Sequence, residues 1–171
     1  MVGGIAVGVR CEPRFTRDVD VAVAVADDRE AEAIIRSLQG DGYKPSAVLD
    51  HQSGRLATVR LVGPGEPSAG ILLDLLFATT GVEQEVAQEA SLVEVFPGLT
   101  MPVAQRGDLI AMKILSRDDA KRPNDHADLR ALLTIASQED LERAHLLLRL
   151  IAERGFARGK DLLADLASFR S

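Results

Sequence analysis

No apolar run in these 171 residues approaches the roughly 20 consecutive residues that cross a bilayer, so no membrane anchor is expected. The start, MVGGIAVGVR, has neither a charged leader nor an apolar stretch ending in a small-residue cleavage site, which points to the cytoplasm. Cysteine occurs once, as Cys11. That excludes an internal disulfide, fits the same compartment and, with no histidine suggested nearby as a partner, reads as packing rather than nucleophilic chemistry. Tryptophan is absent and tyrosine occurs once, which argues against a stacking platform for single-stranded nucleic acid. A basic excess is also lacking. Twenty Lys and Arg face 26 Asp and Glu, a net charge of −6, which argues against a broad phosphate-binding surface. Two local basic clusters remain, Arg10, Arg14 and Arg17, and Lys113, Arg117, Lys121 and Arg122. The sequence has no internal repeat and no low-complexity tract.

What is there is an ordinary globular composition, 46% hydrophobic and 27% charged, in a chain long enough for one sizeable core or one core with a helical appendix. GGIAVGVR reads as a glycine turn feeding a short helix, followed by a strand over about 19 to 25. DREAEAIIRSLQGDG is an amphipathic helix with Ala31, Ile34, Ile35 and Leu38 at helical spacing, stopped by Gly40 and Gly42. RLATVRLV (55–62) alternates as a half-buried strand, and ILLDLLFA (71–78) reads as a strand buried on both faces. A short helix or loop and the strand LVEVF come next. From RGDLIAMKILSR onward the pattern is helical, with Asp108 as a cap and Pro123 as a breaker, and three more amphipathic helices follow in DHADLRALLTIA, QEDLERAHLLLRLIAERG and KDLLADLASF. Strands first and helices last predict an α+β fold, with an α/β core over 1–104 and a C-terminal helical region over 105–171.

The chemistry sits in carboxylates. In RFTRDVDVAVAV, Asp18 and Asp20 share one strand face, with α-carbons roughly 6 to 7 Å apart at about 3.3 Å per residue. Like charges that close repel unless compensated. Asp74, in the middle of LLDLL, is a second anomaly, because a buried carboxylate costs several kcal/mol unless paired or bound to a cation. Taken alone, Asp18 and Asp20 also fit two solvent-facing acids beside arginines. If the two strands are neighbours, the three carboxylates converge on a set of oxygen ligands suited to Mg²⁺, and two ions about 3.5 to 4 Å apart could clamp a phosphoryl displacement.

The combination GG…RFTRDVDV resembles the signature of the nucleotidyltransferase fold shared with DNA polymerase β. More narrowly, GGIAVGVRCEPRFTRDVDVAV, DLIAMKILS and KRPNDHADLRAL resemble the AbiEii-type nucleotidyltransferases, the toxin half of type IV toxin–antitoxin pairs, over residues 3 to about 133. The resemblance implies a nucleotidyltransferase fold, a mixed sheet flanked by helices with a C-terminal helical bundle. It implies transfer of a nucleoside monophosphate from an NTP to a hydroxyl on RNA such as tRNA, or on protein, with Mg²⁺ or Mn²⁺ and a cognate antitoxin. By the same resemblance, Gly3 and Gly4 would cradle the triphosphate, with Arg14 and Thr16 beside it. Asp18, Asp20 and Asp74 would hold the metal, Asp74 would also take the acceptor's proton, Lys113 would contact phosphate, and Asp125 and Asp128 match the late acidic positions. Asp125 and Asp128 also fit a helix cap and an exposed acid, and Lys113 a solvated surface lysine.

Two positions depart from the family pattern. The glycines stand two residues from the start, where the family carries a helix and a strand ahead of them, and Asn124 stands where the family tends to have lysine. Both keep open a degenerate member that only binds a nucleotide or a partner. A small-molecule nucleotidyltransferase of the antibiotic-modifying kind is a further alternative, since an acidic cleft attracts cationic drugs.

Overall fold

The computed structural model describes residues 1–11, 15–50, 54–65, 71–118 and 123–169. Its organising element is a four-stranded mixed sheet of β1 (Asp18–Ala22), β2 (Lys44–Asp50), β3 (Leu56–Val62) and β4 (Leu72–Leu76) in the order β1-β4-β3-β2. β1 runs parallel to β4, and the other pairs are antiparallel. β1 is shorter than the run of valines suggests because its partner ends at Leu76. The pairing closes with a hydrogen bond from Val23 N–H to Leu76 O at 2.9 Å.

The sheet has two differently occupied faces. On one lies helix α2 (Asp28–Gly40), whose first turn is capped by the Asp27 carboxylate accepting from Glu30 N–H at 3.0 Å. Ala31 of α2 is buried with Val59, Leu61, Leu75 and Phe77 in a small core. The alternation of RLATVRLV is thus realised: Ala57, Val59 and Leu61 are buried, while Thr58 and Arg60 turn to the opposite face. In β4 the same parity places Leu73 and Leu75 under α2 and Asp74 on the other side. The opposite face carries the site described below.

β2 escapes the periodicity argument because all seven of its residues are exposed. A strand with no buried face has no hydrophobic period, and its place as an edge is set only by pairing with β3. LVEVF forms β5 (Ser91–Phe96), but it leaves the main sheet and pairs with β6 (Leu99–Val103) in a separate hairpin.

Helix α1 (Gly3–Arg10) and the C-terminal helices α4 (Arg106–Ser116), α5 (Pro123–Thr134), α6 (Gln138–Glu153) and α7 (Leu162–Ser168) enclose the larger core, with α3 (Glu83–Glu89) at its side. That core joins Val2, Ala6 and Val103 to Leu109, Ile110 and Leu147. Each fully buried Leu or Ile contributes roughly 1.5–3 kcal/mol, which makes α4, with Leu109, Ile110, Ile114 and Leu115 all buried, its central element. Cys11 packs against this core, as expected. Asp108 is not the cap residue. It lies in the first turn, fully buried, accepting from Gln105 N–H at 3.0 Å and from Arg143 Nε of α6 at 2.7 Å. Burial pushes its carboxyl up, against the pull of Arg143. Pro123 breaks nothing: α4 ends at Ser116, and Pro123 opens α5, where a missing N–H costs nothing.

Candidate active site

Register puts the functional carboxylates in line. Asp20 of β1 is the direct partner of Asp74 of β4, and Asp74 is the direct partner of Arg60 of β3. The row continues beyond Asp20 to Val2 through an isolated bridge, with Val2 N–H donating to Asp20 O at 2.9 Å. Adjacent strands lie about 4.8 Å apart, so Asp20, Asp74 and Arg60 stand side by side on one face. Asp18 sits two residues before Asp20 on that face.

Arg60 was not anticipated as a site residue, although its place on the polar parity of RLATVRLV marks it. Its Nε and Nη2 donate to Asp74 Oδ1 and Oδ2 at 2.7 and 2.6 Å, and Nη2 approaches Asp18 Oδ2 at 3.4 Å. The carboxylates hold its guanidinium above the ordinary arginine value, chiefly through the hydrogen bonds to Asp74. Asp20 lies beyond its reach in this set of bonds. Burial first, then the charges of Asp74 and Asp18, push the Asp20 carboxyl up to about 6, opposed by Lys113 and by the Gly4 N–H that it accepts.

The glycine turn meets the same carboxylate. Gly3 has φ +69, and a Cβ there would lie 1.9 Å from Asp20 Oδ2, so only glycine permits this approach. Its neighbour Gly4 begins the buried face of α1.

Lys113 is neither solvated nor exposed. It donates to Asp125 Oδ1 at 2.6 Å and lies 2.8 Å from Asp128 Oδ2, with side-chain exposures of 12% for the lysine and 9% and 3% for the acids. Ser116 Oγ donates to Asp125 Oδ2 at 3.0 Å. Asp125 and Asp128 are therefore a buried receptor for one ammonium, one turn apart on α5, rather than a cap and an exposed acid. Of the basic cluster around Lys113, Arg117 closes α4 and stacks its guanidinium 5.0 Å from the Phe169 ring centroid. Arg10 likewise turns from the aspartates and donates to Val103 O, Ala104 O and Ser91 Oγ.

One cleft of about 710 Å³ collects Gly3, Gly4, Thr16, Asp18, Asp20 and Asp74, with Lys113 and Asp125 on its helical wall. Asn124 lines it as well, and so does Arg158, which donates to Thr79 O at 3.0 Å. Asp128 lies behind Lys113, outside the lining. Arg14, Lys121 and Arg122 lie outside the described residues.

Among the described residues, no three His, Cys, Asp or Glu side chains are gathered so as to hold a metal ion; both oxygens of Asp74 are instead taken by Arg60. The donor set nevertheless fits a hard divalent cation. It consists of carboxylate oxygens on two neighbouring strands, that of Asp20 with a pKa raised by burial and by the charges of Asp74 and Asp18, and the others already draw a cation, the Arg60 guanidinium.

A family model described as "Nucleotidyl transferase AbiEii toxin, Type IV TA system" matches residues 1–171, the whole chain. No curated protein matches it. No helix among the described residues is long and apolar enough to cross a membrane.

Proposed function

The chain belongs to the AbiEii nucleotidyltransferase toxins of type IV toxin–antitoxin systems, and on that premise we propose that it moves a nucleoside monophosphate from an NTP to a hydroxyl acceptor. The observation that carries this reading is the single cleft into which the glycine turn, Asp18, Asp20 and Asp74 all open. RNA such as tRNA, or a protein, is the acceptor class, and the setting is the cytoplasm, which supplies NTP and Mg²⁺.

In this reading Gly3 and Gly4, where the start of α1 lines the cleft, face the triphosphate, and Thr16 lies beside it. Asp18, Asp20 and Asp74 would hold Mg²⁺ or Mn²⁺, which when bound would offset the charge of the phosphates. The acceptor oxygen attacks the α-phosphorus, the bond to the β-phosphate breaks, and pyrophosphate leaves. Asp74 accepts the hydroxyl proton on a carboxylate lone pair not used by Arg60. Lys113 supplies positive charge to the cleft wall, kept in place by Asp125 and Asp128 rather than swinging freely.

The test is transfer of label from α-³²P-NTP to an RNA or protein fraction in the presence of Mg²⁺, with Asp20→Asn as control. Transfer by the wild type and none by the variant is the expected result. A second reading, a member that binds nucleotide without transferring it, is favoured by Asn124 on the cleft lining, where the family tends to have lysine, and by the hold of Arg60 on both oxygens of Asp74. NTP binding without transfer to any fraction would select it.

A further inference from the structure

Arg60 stands where the acidic row calls for positive charge. The pair with Asp74 is built by the sheet itself, since the two residues are register partners on β3 and β4. A bidentate guanidinium–carboxylate pair is among the strong hydrogen-bonded ion pairs, and here it engages both oxygens of Asp74 while touching Asp18. The two sides of the pair differ in access. The Asp74 side chain is 12% exposed and that of Arg60 is 39% exposed, so the carboxylate is covered by the guanidinium, and the guanidinium has an open path into the cleft. A divalent cation binding at the row meets both a like charge and occupied oxygens.

We propose that Arg60 is an internal counter-ion of the acidic row, holding Asp74 and Asp18 in the cation-free protein and swinging into the cleft when a divalent cation takes its place. This rests on the reading of Asp18, Asp20 and Asp74 as cation ligands. Arg60 is then a positioning residue. It keeps the carboxylates together without a metal and sets the metal affinity by competition, since the apparent Kd is the intrinsic Kd divided by the fraction of molecules in which Arg60 has let go.

The test is Mn²⁺ binding to the full chain without nucleotide, followed by the loss of the free-ion electron paramagnetic resonance signal. Arg60→Gln, which retains a donor but not the charge, is expected to bind Mn²⁺ at least about tenfold more tightly than the wild type. It should also gain more in Tm on adding Mn²⁺. Arg60→Lys, with a charge but no bidentate fork, should fall between them. In the wild type, where no variant need fold, the Arg60 Nε–H resonance should shift or vanish on saturation with diamagnetic Mg²⁺. The Nε–H of Arg143, bonded to buried Asp108, should not move. Equal or weaker Mn²⁺ binding by Arg60→Gln than by the wild type, or an unmoved Arg60 resonance in Mg²⁺-loaded protein, overturns the counter-ion role and leaves the cation site standing. No Mn²⁺ binding by either protein overturns the cation site and the inference with it.

Discussion

Lys113 of α4 and Asp128 of α5 lie 2.8 Å apart with almost no water contact, and Asp125 closes the other side of the same ammonium. The pair ties the two helices together behind the cleft. Lys113→Ala removes the cation from two buried carboxylates, a change that costs about 3–5 kcal/mol. A lower urea midpoint at unchanged m-value is the expected result. Loss of transfer with an unshifted midpoint would instead make Lys113 a dedicated phosphate contact.

Asp20→Asn should leave the cation-free protein folded and more stable. At neutral pH the native Asp20 carboxylate is ionised against burial and two neighbouring carboxylates, with its pKa raised to about 6, a cost on the order of 3 kcal/mol. Asparagine keeps an oxygen for the Gly4 N–H and removes the charge. A rise in Tm at pH 7 without metal checks this, and a clear fall would count against the electrostatic account of the row.

Gly107 reverses an ordinary helix rule. Alanine is usually favoured over glycine inside a helix by up to about 1 kcal/mol, but a Cβ at Gly107 would stand 2.5 Å from Asp140 O and 2.8 Å from Arg143 Cβ. Gly107→Ala should therefore lower Tm by forcing α4 from α6 and straining the Arg143–Asp108 and Arg106–Asp140 pairs. An unchanged or higher Tm would mean that the helices part at little cost.

Glu85 ties α3 to the end of α6 through Arg154, at 2.6 Å. The hydrogen bond from Arg154 holds the Glu85 carboxyl below its usual 4.5. The folded state thus binds this proton less readily than the unfolded chain, so the contribution is present above about pH 4.5 and is lost as pH falls through the lower folded value. The stability gap between wild type and Arg154→Ala should be widest near pH 7 and narrow below about pH 4. Thermal melts from pH 2.5 to 7 test it, and a gap constant with pH would assign the effect to packing.

Local periodicity by itself determined much of this protein. The alternation of RLATVRLV, the helical spacing in DREAEAIIRSLQ and the four C-terminal amphipathic stretches each bury one face, and a buried face writes its period into the sequence. The glycine turn and the Asp-Val-Asp strand were legible for the same reason, as departures from an otherwise apolar pattern. Where no face is buried, as in β2, the sequence carried no period and the strand was set by its neighbour alone. Pairing across the chain was likewise decided only by the tertiary structure. That Arg60 meets Asp74 follows from the register of β3 on β4, and that Lys113 meets Asp125 and Asp128 follows from the packing of α4 on α5. A charged side chain looks the same in sequence whether it faces water or an opposite charge. Only the partner that folding brings to it, and the water that partner excludes, fixes its energy and its role.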